Sequence, residues 1–403
     1  MERIIFHIDV NNAFLSWTAV DLLNQGYRYD IRNSYAVIGG DEKARRGIVL
    51  AKSPSAKKLG IYTSETLYSA RKKCPALRIF PPNYQWYQTM SHRLFQLLSH
   101  YTNDIEVFSI DECFLDYGKI KHRYGDEVLF AEQLKDEIAT TLGFTVNIGI
   151  ANNKLCAKMA SDFEKPNKVH TLYEWEVSTK LYSLPIRDLF GVGKRSTEKL
   201  QKLGIETIGA LAHTSPEVLY PYFKNQSLRL IEMAQGIDTT EVHSEKEDNK
   251  GISNSTTLSH DVTKKGEALQ VLASLCDNVA LTLRRQKKYA SVIAITIKDH
   301  YFKSSSHQRK IKNATNLTNE IYETVKQLFE EGWNEEPIRL LGVSLTGLMK
   351  ESNHQVSLFD SLEQREKEIQ LEATVDELKE KFGSNVIGNA AIKEHKIGKK
   401  YLK

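Results

Sequence analysis

Three acids each close an apolar run in this chain. Asp9 ends the run that starts at Ile4, and the adjacent pair Asp111 and Glu112 follows the run 105–110. Short apolar runs bounded by turn residues read as buried strands, and the polar Asn11 and Asn12 mark the end of the first. Neighbouring side chains on a regular strand point to opposite faces, so Asp111 and Glu112 serve one site only from a strand end or a hairpin tip. With a third acid on a neighbouring strand they make an oxygen cluster of the kind that suits Mg²⁺, which prefers carboxylates, waters and substrate phosphates. Two such ions ~3.5–4 Å apart suit nucleotidyl transfer: one lowers the pKa of an attacking hydroxyl and the other holds the leaving phosphates. Spacing alone also admits a plainer reading, in which these acids are turn residues and solvated caps.

The rest of the chain alternates in pattern. A helix-like segment over 13–23 follows the first strand. Strand patterns stand at 35–38 and 48–50, a hairpin at 105–117, a helix at 127–142 and a strand at 144–150. Alternating strands and helices over the first 175 residues argue for a mixed α/β unit. Residues 176–240 read as helical around the turn Gly191-Val192-Gly193, and the charged stretch 241–252 reads as a linker. A second α/β unit follows, with strands at 291–297 and 339–346 around a helix at 318–331. The polar tail after 352 holds one helix pattern whose apolar positions Leu371, Val375, Leu378 and Phe382 fall on one face.

At 403 residues the chain has room for two to three domains. Hydrophobic residues make up 41% and charged residues 26%, which excludes wholesale disorder. Lys and Arg number 55 against 51 Asp and Glu, and a net charge of +4 excludes a histone-like basic protein. No stretch approaches membrane-spanning length, and the apolar start is too short for a secretory signal. Cys74, Cys113, Cys156 and Cys276 lie far apart with no CxxC pair. They favour a reducing, cytoplasmic setting over a disulfide framework or a zinc site.

Asp9-Val10-Asn11-Asn12-Ala13-Phe14, followed about a hundred residues later by Ser109-Ile110-Asp111-Glu112, resembles the two catalytic motifs of the Y-family (lesion-bypass) DNA polymerases. So does Gly149-Ile150-Ala151-Asn152-Asn153-Lys154-Leu155-Cys156-Ala157-Lys158, running on to Lys165-Pro166-Asn167. The resemblance covers about residues 1–360 in the family's motif order, and it looks closest to the UmuC-like and Gram-positive UV-repair branch. It implies an α+β multidomain, right-hand polymerase. The palm would span 1–175, with small fingers inserted at about 30–80, and a helix-hairpin-helix thumb would span 176–240. After the linker 241–252 would come an α/β little finger over 253–350 and a tail over 351–403. The implied activity is translesion DNA synthesis in DNA damage tolerance, with two Mg²⁺ per active site and no proofreading. By the same resemblance Asp9, Asp111 and Glu112 are the catalytic metal ligands, joined by the Val10 carbonyl.

The resemblance also assigns a nucleotide pocket. Phe14 stands at the family's steric gate, where a flat apolar ring clashes with a 2′-hydroxyl and leaves it without a hydrogen-bond partner. The backbone amides of Asn11, Asn12, Ala13 and Phe14, at a strand-to-helix turn, are placed to cradle phosphate oxygens. Lys165 matches the family's triphosphate-contacting lysine. Where many members carry a Tyr and an Arg on the triphosphate, this chain has Pro54 and Lys57, and a lysine is a point charge without the bidentate fork. Gly39-Gly40-Asp41-Glu42 partly resembles the signature of diguanylate cyclases, but the match stops at Lys43, and glycines before acids more often make a turn.

Leu189-Phe190-Gly191-Val192-Gly193-Lys194, with Leu203-Gly204-Ile205, fits a helix-hairpin-helix. Gly191 and Gly193 let backbone amides approach a DNA phosphate at a helix N-terminus, and Lys194 and Arg195 add charge. Such a contact is independent of sequence. Over 251–312 eleven basic residues face four acids, a surplus of +7, whereas over 313–350 three face six, or −3. Arg284, Arg285, Lys287 and Lys288 in the basic half are the expected DNA contacts of the little finger; a solvated charged face gives the same count. Gln355-Val356-Ser357-Leu358-Phe359 resembles the bacterial sliding-clamp peptide, with Gln355, Leu358 and Phe359 as its anchors. The expected partners are primer–template DNA, dNTP and a sliding clamp, with a recombinase filament or accessory subunits beyond them. Two rival classes stand beside this one: a non-catalytic DNA-binding factor, which the acid triad counts against, and a metal-dependent nuclease, which Phe14 and Lys165 count against.

Overall fold

The computed structural model describes residues 3–245, 248–350, 362–383 and 386–387. It divides into two compact units, Met1–Gly40 with Ile48–Lys246, and Asp41–Gly47 with Glu247–Lys403. Strands of the first unit are β1 (Ile5–Val10), β2 (Ala36–Gly39), β3 (Val49–Lys52), β4 (Arg78–Phe80), β5 (Ile105–Val107), β6 (Glu112–Asp116), β7 (Val146–Ala151) and β8 (Val169–Thr171). The second unit holds β9 (Gly251–Val262), β10 (Tyr289–Asp299), β11 (Ser304–Thr315) and β12 (Ile338–Met349).

β1 runs through the middle of a five-stranded sheet ordered β5-β6-β1-β7-β8, antiparallel except between β7 and β8. Its near-continuous apolar run is explained by cover on both faces. On one face Ile4, Phe6 and Ile8 pack with Trp17, Tyr87 and the helices Tyr84–Ser99 and Glu127–Leu142. On the other, Ile5 packs with Phe114, Ala151 and the helix Lys154–Ser161. Each fully buried side chain of this size contributes about 1.5–3 kcal/mol. Alternation then places His7 and Asp9 on the Ile5 face. β7 meets the helix Lys154–Ser161 at Gly149, where a Cβ would run into the Ala157 carbonyl and the Ser161 amide. The glycine sets how closely that helix seats on the sheet.

A smaller sheet, β3-β2-β4, forms with the helices Pro54–Lys58 and Leu67–Lys73 around Val37, Val49, Ile61 and Leu67. Gly39 ends β2, and Asp41 and Glu42 accept backbone bonds from Arg46 and Arg45, so the Gly-Gly-Asp-Glu stretch is a strand end and a turn. The helices Lys194–Lys202, Ile208–Ala212, Pro216–Phe223 and Ser227–Ala234 share a core around Leu200, Ile208 and Leu219.

In the second unit the sheet order is β11-β10-β12-β9, antiparallel throughout. Ile293, Ile295 and Ile297 on β10 and Leu341, Val343 and Leu345 on β12 pack against the helices Lys265–Arg285 and Thr318–Gly332. Register puts Thr296, Lys298, Ser306, Gln308, Lys310, Ser344 and Ser253 on the opposite face. One expectation needs correction here. The stretch 241–252 is not all linker, because β9 starts at Gly251. On the tail helix Leu362–Phe382, Leu371 and Phe382 of the apolar face are exposed and Val375 and Leu378 are half-buried, and ion pairs add to its contacts. Arg284 meets Glu372 and Asp376, Lys379 meets Asp277, and Arg365 meets Glu320. Among the described residues no helix is long and apolar enough to cross a membrane.

Candidate active site

The ends of β1 and β6 bring the three acids together. Asp9 pairs in register with Glu112, and the Val10 amide donates to the Asp111 carbonyl at 3.0 Å. β6 begins at Glu112, so Asp111 sits in the turn before it and escapes the strand's strict alternation. Ser109 Oγ donates to Asp111 Oδ1 at 2.7 Å. Burial, and after it the charges of Asp9 and Glu112, raises the Asp111 pKa above the usual carboxylate value. Burial also acts to raise Glu112, but the His7 ring and Lys158 outweigh it and hold that carboxyl at about 2.

Two lysines provide the countercharge. Lys158 Nζ lies 2.7 Å from Glu112 Oε2. Lys165 pairs with Asp9 and, at 2.8 Å, with Asp162. Burial works against both ammonium groups, yet Asp9 and the other nearby carboxylates hold their pKa values up. Among the described residues no three His, Cys, Asp or Glu side chains gather tightly enough to hold a metal ion as they stand. The chemistry of the donor set nonetheless fits a hard divalent cation: it is all oxygen, and its negative charges are close enough to perturb one another. Lys158 was not singled out from sequence. Its role depends on how closely Gly149 lets its helix sit on the sheet, which no local sequence pattern signals.

Beside the acids, the turn from β1 into the helix Ala13–Asn24 carries the expected nucleotide residues. Asn12 adopts the left-handed region with φ 51°, and its Nδ2 donates to the Lys52 carbonyl at 2.5 Å. The Asn11 amide donates to the Thr145 carbonyl at 2.9 Å, so it is not available to a phosphate, which corrects that part of the expected cradle. Its side chain instead accepts from the Asn167 amide and donates to Asn147, tying the segment after Lys165 to the turn. The amides of Ala13 and Phe14, in the first helical turn, have no intrahelical acceptor. Phe14 is half-buried and stacked on Tyr87, with centroids 4.6 Å apart and planes 9° from parallel. Tyr87 and the edge-on Tyr84 fix that ring and were not foreseen. Lys57 is exposed on the helix Pro54–Lys58. Lys52, also unforeseen, has its pKa lowered first by burial and then by the charge of Lys57, so the two ammonium groups are neighbours.

The hairpin at 189–195 is built as expected. Gly191 takes φ 83°, Val192 is buried, and Gly193 caps the helix Lys194–Lys202. Lys194 and Arg195 are exposed at that N-terminus, where the first amides have no intrahelical partner. The basic cluster of the second unit is placed differently from expectation. Arg284 is held by Glu372 and Asp376, and Lys288 by Asp248 at 2.9 Å; Arg285 and Lys287 are exposed. Arg284 and Arg285 end the helix Lys265–Arg285, which packs on the sheet face opposite the open one, and Lys287 and Lys288 follow in the turn into β10. Arg284 is thus part of an internal ion-pair network. Gln355, Leu358 and Phe359 lie outside the described residues.

The impB/mucB/samB family model matches residues 8–162, the model of that family's C-terminal domain matches 249–358, and the IMS family HHH motif matches 176–205. DNA polymerase IV of Clostridium acetobutylicum is 45% identical, over 98% of this chain and 99% of its own length. DNA polymerase IV of Clostridium kluyveri is 35% identical over 97% and 98%. DNA polymerase IV 1 of Bacillus subtilis is 33% identical over 97% and 93%. These relatives carry the DNA polymerase IV name rather than a UmuC-like one. Among solved structures, a Y-family DNA polymerase chimera of Dbh and Dpo4 matches with a TM-score of 0.75 and 22% identity, over 86% of this chain and 100% of that chain.

Proposed function

From the premise that this chain belongs to the Y-family DNA polymerases, DNA-directed enzymes of templated synthesis and lesion bypass, we propose that Asp9, Asp111 and Glu112, with the Val10 carbonyl, hold two Mg²⁺ for transfer of a dNTP to a primer 3′-hydroxyl, without proofreading. The observation that carries this reading is the register of β1 and β6, which sets Asp9 opposite Glu112 with Asp111 one residue away. When bound, Mg²⁺ supplies charge that lowers the pKa of the attacking hydroxyl and neutralises the leaving pyrophosphate. The primer hydroxyl gives up its proton to solvent, its oxygen bonds to the α-phosphorus, the bond from that phosphorus to the β-phosphate oxygen breaks, and pyrophosphate leaves.

The chain's own groups orient these partners. Lys165 exchanges its carboxylate partners for triphosphate oxygens, with Lys57 and Lys52 adding charge from the smaller sheet. The amides of Ala13 and Phe14 offer donors at a helix N-terminus. Phe14, braced by Tyr87, leaves no room and no partner for a 2′-hydroxyl. The Gly191–Gly193 turn with Lys194 and Arg195 takes a backbone phosphate. In the second unit the open sheet face, with Lys298 and Lys310 among small hydroxyl side chains and no acid at the paired positions, suits duplex backbone better than the Arg284 cluster does. Gln355, Leu358 and Phe359 would engage a sliding clamp, in the cytoplasm.

Primer extension in Mg²⁺, with and without dNTPs, tests the reading. The wild-type chain extends the primer only when dNTPs are present, and Asp111→Ala stops extension while DNA binding persists. Extension by Asp111→Ala, or degradation of the primer without dNTPs, refutes it.

A further inference from the structure

Behind Glu112 stands a side chain that the reaction as described does not use. His7 is fully buried, two residues before Asp9 on the same face of β1. Its register partners are Phe114 and Gly149. The Phe114 ring packs against it with centroids 4.7 Å apart, and the close seat at Gly149 brings Ser161 beside it. Nδ1 lies 2.8 Å from Ser161 Oγ, and Nε2 lies 3.2 Å from Glu112 Oε2. Nε2 has no aligned hydrogen-bond partner in this state, so the carboxylate is the acceptor it faces. Lys158 Nζ meets that same oxygen at 2.7 Å. Both contacts therefore fall on Oε2.

We propose that His7, locked by Ser161, is a positioning residue for Glu112: it fixes one carboxylate oxygen so that the other is presented to the divalent cation. A neutral imidazole carries a single N–H. The Ser161 hydroxyl has one proton and two acceptors in reach, His7 Nδ1 and the Lys158 carbonyl, each at 2.8 Å. Given to Nδ1, that proton leaves Nε2–H opposite the carboxylate. Given to the carbonyl, it leaves a lone pair against a negative oxygen. Only the first arrangement puts a donor on Glu112, so the carboxylate favours that tautomer and Ser161 holds it by donating to Nδ1. Lys158 and Ser161 stand one turn apart on one helix, and Gly149 is what lets that helix approach closely enough for both contacts.

The proposal rests on the polymerase reading, so templated extension by the wild-type chain is measured first; its absence refutes that reading and is distinct from every outcome below. Two quantities are then measured on the full chain: single-nucleotide insertion kinetics, and binding of Mn²⁺ alone by electron paramagnetic resonance. His7→Phe keeps a ring and removes both nitrogens, His7→Gln keeps an amide donor near the place of Nε2, and Ser161→Ala removes the lock. His7→Phe and Ser161→Ala are expected to lower kcat and weaken Mn²⁺ binding about tenfold each, with KM for dNTP and Kd for DNA unchanged. His7→Gln is expected to recover most of both. A purely structural role would reduce the folded fraction without changing the Mn²⁺ affinity of what remains folded. Wild-type kcat and Mn²⁺ affinity in His7→Phe overturn the proposal, as does a loss of only one of the two, or failure of His7→Gln to recover them. Should His7→Phe not fold, Ser161→Ala decides between the same outcomes, because it leaves the ring in place.

Discussion

The sheet of the first unit and the sheet of the second place charge in opposite ways. In the first, β1 is covered on both faces, and its charged groups gather at one strand end, where Asp9, Asp111 and Glu112 meet. Burial there is partial and costly, so each acid has a named partner: Lys165, Ser109, or Lys158 with His7. In the second, one face is packed on helices and the other is bare, and Lys298 and Lys310 stand among Ser and Thr with solvent as their partner. A slip of one residue in β1 would move Asp9 to the wrong face and destroy the site, whereas the open face presents a field of charge that no single residue defines. Changes in the first sheet should therefore act nearly all or none, and changes in the second by degrees.

The sharpest way to break that contrast is at the acids. Asp9→Asn should lower the primer-extension rate by ~10³-fold or more, equivalent to ~4 kcal/mol of barrier, with DNA affinity little changed in a binding titration. A graded loss, comparable with that from a single lysine on the open face, would show that the two sheets do not differ in this way. Next in size is Gly149→Ala. The added methyl meets backbone atoms of Ala157 and Ser161, which cannot rotate away, so stability should fall by about 1–3 kcal/mol in urea unfolding. Because the helix Lys154–Ser161 also carries Lys158, the remaining folded fraction should be slower as well.

What the sequence made legible follows this same division. The acids and the Gly191–Gly193 turn were found because they interrupt or punctuate apolar runs, whereas Phe14 and Lys165 were found through the resemblance, and on β1 itself the other polar side chain, His7, was passed over. The helix Glu127–Leu142 was bounded to the residue, between Asp126, which caps it, and Gly143 in the left-handed region. β9 and β11 were missed because a strand with one bare face is half polar: Ser304-Ser305-Ser306 and Asn254-Ser255-Thr256 hold no apolar run to notice. The helix Lys265–Arg285 went unread, so Arg284 in its last turn was counted as a surface charge when it belongs to an ion-pair network with residues 88 and 92 positions later. His7 and Lys158 were invisible for a related reason. Their roles depend on register and on how closely one helix sits, and neither is written in local pattern.

The open face and the Arg284 cluster make a finer comparison. Lys310→Ala or Lys298→Ala should each weaken duplex binding a few-fold and reduce the slope of log K against log salt by about 1, with insertion at saturating DNA unaffected. Arg284→Gln should leave that slope and the DNA affinity where they are, because its guanidinium already meets Glu372 and Asp376 and is mostly covered. Its effect should appear elsewhere. Glu372 has its pKa raised by burial, against which the Arg284 charge is the leading opposing influence, and its Oε1 accepts from the Thr318 amide at the start of the helix Thr318–Gly332. With Arg284 gone, the helix Leu362–Phe382 keeps Lys379 on Asp277 and Arg365 on Glu320, but Leu371 and Phe382 add little, since both are exposed. Hydrogen exchange across 362–382 should therefore quicken in Arg284→Gln, and should also quicken in the wild-type chain as salt is raised, because the dock is partly ionic. A fall in DNA affinity without faster exchange in that helix would return Arg284 to the DNA-binding surface and remove the distinction between the two charged regions of this unit.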